Sequence, residues 1–125
     1  MVVIDTSILI DYLRRPHENS PFKEFTRLNQ EERLAISILT IQELYAGKSS
    51  KEVKKESFFL DIVSKMEVLP YSYQTAQLAG EITRDYNKNF EFPDAAIAAT
   101  VILNKANLFT LNKKDFKGIK GLKLI

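Results

Sequence analysis

Val2-Val-Ile-Asp5-Thr-Ser-Ile8-Leu9-Ile-Asp-Tyr12-Leu13 changes its hydrophobic period within a few residues. Val2 to Ile4 is a short β-branched run, which suits an extended chain. Ile8, Leu9, Tyr12 and Leu13 then recur at helical spacing until Pro16 stops them. Strand passes straight into helix, and wherever that order repeats the fold is an alternating α/β one.

The order does repeat. Ser20-Pro21 offers an N-cap and an N1 proline for a helix carrying Phe22, Phe25 and Leu28. Residues 34–39 read as a buried second strand, and Thr40-Ile-Gln-Glu43 then looks like a capping box opening a helix that Gly47 closes. Ser50 begins a longer helix through Val53, Phe58, Phe59 and Ile62. Residues 66–69 form a third strand, ended by Pro70, and from Ser72 a helix runs to Tyr86. Asn87-Lys-Asn89 reads as a loop up to Pro93. The stretch from Asp94 to Lys105 is almost wholly apolar, too long for a strand and too apolar for a surface helix, so it predicts a central buried helix. Residues 108–110 and 122–125 supply a fourth and a fifth strand, giving an α/β domain with a mainly parallel sheet.

The 125 residues suit one domain spanning 1–125, with roughly two-thirds of the unfolded surface buried. Without Cys there is neither a disulfide framework nor a thiolate metal site, and with His17 as the one histidine there is no His-rich zinc site. Any metal must therefore be held by oxygen. His17 itself, in a polar turn, reads as a surface residue. The start lacks a basic region followed by a long apolar core, so the expected location is the cytoplasm, with no membrane span. Net charge is only +2, but residues 105–125 carry six Lys and one Asp. Such a tail is either a solvated face or, beside an acidic pocket, a holder of phosphates.

In open parallel sheets the functional crevice lies beyond the carboxyl ends of the strands. Here those positions are acidic. Asp5 follows strand one, Glu43 comes one helical turn after strand two, Asn112 and Asp115 follow strand four, and Asp94 opens the buried helix. Carboxylates this close repel one another and lose hydration unless a cation neutralises them. Mg²⁺ or Mn²⁺ prefers such oxygens and promotes phosphodiester hydrolysis. Each acid also has a structural reading: Asp5 as a helix cap, Glu43 as the capping-box acid, Asp94 as N-terminal helix charge, Asp115 as a turn residue. Their coincidence at one sheet edge favours the metal. Asp5-Thr-Ser7 lacks the second Asp of a haloacid-dehalogenase nucleophile, Leu69-Pro70 supplies no acid for a phospho-receiver domain, and no Gly-rich phosphate loop is present.

Val3-Ile-Asp5-Thr-Ser-Ile-Leu-Ile10, Ser37-Ile-Leu-Thr40-Ile-Gln-Glu43-Leu, Pro93-Asp94-Ala-Ala-Ile-Ala-Ala99 and Leu108-Phe-Thr110-Leu-Asn112-Lys-Lys-Asp115-Phe116 together resemble the PIN-domain ribonucleases, specifically the VapC toxins of toxin–antitoxin pairs. The resemblance covers nearly the whole chain. It implies a three-layer α/β/α sandwich around a mainly parallel five-stranded sheet. It also implies a Mg²⁺- or Mn²⁺-dependent endoribonuclease. Asp5, Glu43 and Asp94 correspond to the family's acidic metal site, Thr6 to a hydroxyl that steadies the first Asp, and Thr110 to the hydroxyl of the last motif. Many relatives have Asp where this chain has Asn112. Either the Asn112 amide oxygen is a ligand, or Asp115 supplies the charge through water as a further catalytic acid, or a second metal binds weakly.

The resemblance further implies a homodimer held inactive by an antitoxin that wraps an apolar groove and reaches a cation toward the acids. Leu9, Tyr12, Leu13, Phe22, Phe25 and Tyr45 are candidates for that groove, and otherwise belong to the core. Tyr12, Leu13, Phe22 and Phe25 crowd more large apolar side chains into two short segments than one sheet face should need, so part of that surface is expected to await the partner. Arg14, Arg15, Lys113, Lys114, Lys117 and Lys120 form the expected phosphate-steering rim. The alternatives are a non-catalytic PIN-like module that binds RNA or protein, and a PIN nuclease of RNA processing without an antitoxin.

Overall fold

The computed structural model describes residues 1–86 and 89–125; of the loop expected at 87–89, Asn87 and Lys88 therefore lie outside the described residues. Five strands, β1 (Val2–Ile4), β2 (Leu34–Ser37), β3 (Glu67–Leu69), β4 (Asn107–Phe109) and β5 (Lys123–Leu124), form one sheet in the order β3-β2-β1-β4-β5. All four pairings are parallel, with Val3 opposite Ala35 on one side and Leu108 on the other. The α/β sandwich expected from the sequence is the one observed.

Because successive side chains of a strand point to opposite faces, the short strands divide their residues between two cores. Val3, Ala35, Leu69 and Leu108 face α5 (Tyr73–Asp85) and α6 (Phe92–Leu103), where Ala79, Ile82, Ile97 and Val101 close the layer. Val2, Ile4 and Ile36 face α1 (Thr6–Arg14), α2 (Pro21–Leu28), α3 (Ile38–Ala46) and α4 (Val53–Val63) through Ile8, Leu9, Phe22, Leu44 and Phe59. Covering both faces of β1 leaves all three of its residues buried, as a continuous apolar run requires. A last short helix, α7 (Lys113–Phe116), buries Phe116 beneath α6.

Local signals set several boundaries as expected. Ser20 caps α2 by accepting the Lys23 N–H, with Pro21 in the first turn, and Gly47 ends α3. The buried helix starts earlier than its apolar run, at Phe92, because a first-turn proline needs no N–H partner. Ser50, in contrast, does not begin α4: its hydroxyl donates back to the Tyr45 and Gly47 carbonyls within a separate 3₁₀ turn over Lys48–Lys51, and α4 starts at Val53.

Two further expectations fail. The second strand stops at Ser37, whose hydroxyl accepts the Leu39 N–H and starts α3 there. Thr40 is consequently inside the helix and buried, and Glu43 lies beyond the first turn, so no Thr40–Glu43 capping box forms. An apolar run such as 34–39 does not distinguish strand from helix; the capping hydroxyl decides. The second failure concerns the surface expected to await a partner. Leu9, Tyr12 and Phe22 are buried; Tyr12 meets Phe22 and Phe58 at ring separations of 5.2 and 5.8 Å, and Phe25 stacks on Phe109. These rings pack between α1, α2 and α4, leaving a cavity of about 250 Å³ lined by Tyr12, Phe22 and Phe58, and of the expected set Tyr45 is 44% exposed.

Ala99 is fully buried on α6, whereas Leu103 at the end of the same helix is 45% exposed. Ala99→Leu is expected to overpack the layer and cost about 1–3 kcal/mol, and Leu103→Ala less than about 1 kcal/mol. Urea unfolding midpoints at constant m-value check the contrast.

Candidate metal centre

The backbone N–H of Asp5 donates to the Phe109 carbonyl at 2.9 Å and so carries the β1–β4 ladder one residue past β1. Asp5 is thereby held against the end of β4, within reach of Thr110. It occupies the N-cap position of α1, yet its side chain caps nothing. Instead Oδ2 accepts the Ser7 hydroxyl at 2.6 Å and the Thr110 hydroxyl at 2.7 Å. Those hydroxyl oxygens accept in turn the backbone N–H groups of Leu111, at 3.2 Å, and Asn112, at 2.9 Å. Two amides of the segment after β4 are thus relayed onto one carboxylate oxygen. The residue is only 4% exposed, and these bonds offset the hydration it has lost. Among the described residues Oδ1 makes no hydrogen bond, and Asp5 lines a cavity of about 420 Å³.

Glu43 is oriented by a second relay. Thr6 Oγ1 lies 2.8 Å from Glu43 Oε1 and 3.0 Å from Thr40 Oγ1. A hydroxyl has one proton to give, and the carboxylate is the stronger acceptor, so Thr6 donates chiefly to Glu43, with the Thr40 oxygen a second acceptor beside it. The sequence expectation that Thr6 steadies Asp5 is therefore replaced: Thr6 holds Glu43, and Ser7 with Thr110 holds Asp5. The start of α3 at Ser37 is what brings Thr40 to this position.

Asp94 stands in the first turn of α6. Glu43, Asp94 and Asn112 line both the first cavity and an adjoining one of about 320 Å³; Asp5 faces only the first and Asp115 only the second. Burial pushes the Asp94 carboxyl up from the ordinary 3.8 to about 6, reinforced by the negative charges of Asp115, Asp5, Glu91 and Glu43. Burial also raises Glu43, aided by Asp5 and Glu91 and opposed by the Thr6 hydrogen bond. Like charges concentrated in half-buried surroundings produce these shifts.

Arg14 and Arg15 line the first cavity, with Asp11 3.9 Å from Arg15. Lys113 and Lys114 line a basin beside Thr110, Asn112 and Asp115, while Lys117 and Lys120 are exposed further along. His17 is exposed in its turn. Sequence reasoning missed Ser7, Asp11 and Glu91. Ser7 stood two residues after a candidate ligand, a spacing with a local hydrogen-bond meaning, and Glu91 stood before a helix like any N-terminal acid.

Among the described residues no three acids are grouped tightly enough to enclose an ion as they stand. The donor chemistry nevertheless fits a hard divalent cation: the donors are oxygen only, Asp5 Oδ1 lacks a hydrogen bond, and the neighbouring carboxylates repel one another until a positive charge arrives.

Residues 2–122 match the PIN domain family. The chain belongs to this family. It is 31% identical to Ribonuclease VapC1 of Rickettsia felis over 99% of this chain and 94% of that protein, and 30% identical to Ribonuclease VapC1 of Methanocaldococcus jannaschii over 98% and 85%. Among solved structures it is similar to VapBC2 of Rickettsia felis bound to a promoter DNA fragment, at 30% identity and a TM-score of 0.81 over 100% of this chain and 98% of that one. PIN ribonucleases depend on divalent metal as a family, and the oxygen-only donor set of this PIN domain agrees with that. Among the described residues no helix is long and apolar enough to cross a membrane.

The raised Asp94 sets a pH dependence. Between the ordinary value and about 6 the folded protein binds more protons than the unfolded chain, so stability falls as pH rises through that window. In chelator, thermal unfolding followed from pH 4 to pH 7 is expected to show this fall, and Asp94→Asn to flatten it. At pH 7 the metal-free variant should be the more stable by about 1 kcal/mol, after allowance for the solvent around a half-exposed carboxylate.

Proposed function

We propose that this PIN domain acts over residues 1–125 as a VapC-type endoribonuclease, with Mg²⁺ or Mn²⁺ held by Asp5, Glu43 and Asp94 and by the Asn112 amide oxygen at the rim. The observation that carries the reading is the double relay: separate hydroxyls fix Asp5 and Glu43 while Asp5 Oδ1 keeps no hydrogen bond among the described residues. Caps need no such wiring. A divalent cation seated there offsets phosphate charge and eases deprotonation of water, the general contribution of such ions to phosphodiester hydrolysis. Asp5 and Glu43 present fixed oxygens, so little reorganisation is left for the reaction itself. Asp94, with its raised pKa, gives up its proton more readily when positive charge is near. Asp115, across the second cavity, acts through water. Arg14 and Arg15 take phosphate oxygens at the first cavity, and Lys113, Lys114 and Lys117 steer the flanking backbone.

The toxin is paired with an antitoxin, as VapC is in the VapBC complexes to which this chain is similar. The docking groove lies between α1 and α3, where Ile10, Leu13, Leu44 and Phe59 line about 280 Å³ with Arg14, Glu43 and Lys48, and it opens toward the acids through Glu43. This replaces the aromatic face expected from the sequence. A homodimer working in the cytoplasm completes the reading.

Purified chain with Mg²⁺ or Mn²⁺ is expected to cleave total cellular RNA, and Asp5→Asn and Asp94→Asn to lose at least about 100-fold. Cleavage that survives EDTA or both substitutions excludes the mechanism. Thr6→Val and Thr110→Val, which remove only orienting bonds, should lose about 10- to 100-fold in metal affinity or rate. Replacing Lys113, Lys114, Lys117 and Lys120 with Gln should flatten the salt dependence of RNA binding by up to about 0.7 per lost phosphate contact. An unaltered slope would assign these lysines to solubility alone.

A further inference from the structure

We propose that Tyr71, Tyr73 and Phe92 form a stacking platform for bases of single-stranded RNA next to the scissile phosphate; the inference rests on the ribonuclease reading above. The sheet order lays the carboxyl ends of the strands in a row. β3 leads to Tyr71 and Tyr73, β2 to the helix bearing Glu43, β1 to Asp5, and β4 to Thr110 and the lysines of α7. Aromatics stand at one end of the row, acids in the middle and cations at the other. Neighbouring strands are about 4.8 Å apart, so the β3 corner lies about one or two nucleotides from the acids.

Phe92 joins that corner from α6, two residues before Asp94, and meets Tyr71 edge-on with ring centroids 6.0 Å apart. Phe92 is 64% exposed and Tyr73 83%, the two most exposed aromatic side chains among the described residues. Phe22, Phe59 and Phe116, in contrast, are buried. Among residues 66–86 and 89–104 the one Lys or Arg is Arg84, which pairs with Asp85 at 2.6 Å, while Glu91 adjoins Phe92. With its one cation paired, that side of the site offers a phosphate little, so a nucleic acid crossing it is held by its bases. Aromatic faces bind bases with little regard to sequence, and the phosphates are left to the cations at the other end of the row. One strand then crosses the acids with its bases toward β3 and its backbone toward α7.

The chain has no Trp, so Phe92→Trp supplies a single tryptophan at the platform, excited selectively at 295 nm or above. With Ca²⁺ in place of Mg²⁺, an adenosine octamer is expected to quench this tryptophan, and a ribose-phosphate octamer without bases is not. Phe92→Ala and Tyr73→Ala should weaken octamer binding about 5- to 100-fold each, the range that corresponds to losing one stacked base, and Phe92→Tyr should restore it. The exposed positions leave thermal stability near wild type. Quenching that is absent, or equal without bases, overturns the platform even where total RNA is still cleaved. So does an unaltered affinity in both Ala variants accompanied by loss of a dimer in sedimentation, which would give the corner to a second copy. Absence of metal-dependent cleavage in wild type overturns the ribonuclease reading instead, and the quenching experiment, which needs no cleavage, still decides the platform.

Discussion

Carboxylates that repel one another are held together at one edge of the sheet, and much of the fold serves to keep them there. Asp5 is fixed by a ladder bond from β4, Asp94 by the first turn of a helix buried from Ala95 to Val101, and Glu43 by a helix that Ser37 caps. None of these attachments relaxes the repulsion, because each runs through core-packed backbone. The unfavourable term is visible in the upward displacement of Asp94 and Glu43. A site of this kind is stabilised by the charge it binds, so ion binding and local stability are one linked equilibrium.

Two hydroxyl relays turn that strained collection into a geometry. Oδ2 of Asp5 is occupied by Ser7 and Thr110, which are themselves held by the amides of Leu111 and Asn112, so the β4–α7 segment and the first acid move as a unit. Thr6 and Thr40 do the same for Glu43 and α3. The relays diverge from adjacent residues, Thr6 and Ser7, at the start of α1. A displacement of that turn therefore disturbs both acids together.

The sequence resolves features whose signal is local and fails where a tertiary partner decides. The β1 run, the Ser20-Pro21 start and the apolar α6 segment are legible because period and capping chemistry suffice to define them. Asp5 is legible because its position after a strand follows from strand order alone, and Asp94 because it opens the apolar run of α6. The β2–α3 boundary was misplaced because Ser37 and Thr40 are equally good caps on paper, and only packing of Thr40 against Thr6 distinguishes them. The roles of Thr6 and Ser7 were exchanged or missed for a related reason: a hydroxyl beside an acid has several acceptors in reach, and chain proximity does not select among them. Tyr12, Phe22 and Phe25 look excessive for one sheet face until α4 supplies Phe58, which periodicity within α1 and α2 cannot reveal.

Asn112 fits this electrostatic setting. It borders both acidic cavities, and its backbone N–H anchors Thr110, which holds Asp5. A carboxylate at that position would add another negative charge to a group in which Asp115, Asp5, Glu91 and Glu43 already raise Asp94. An amide keeps an oxygen donor at the rim without the repulsion, at the cost of weaker attraction for a second cation. The positive charge that an acid at 112 would have drawn from a second ion is supplied in part by the neighbouring Lys113 and Lys114, which flank the same residue along α7. In the proposed reading, attraction for substrate phosphate is thereby shifted from bound ions toward the protein's own cations. That arrangement suits a site with one strongly held metal and an unevenly charged approach: basic beyond β4, acidic at its centre and aromatic beyond β3.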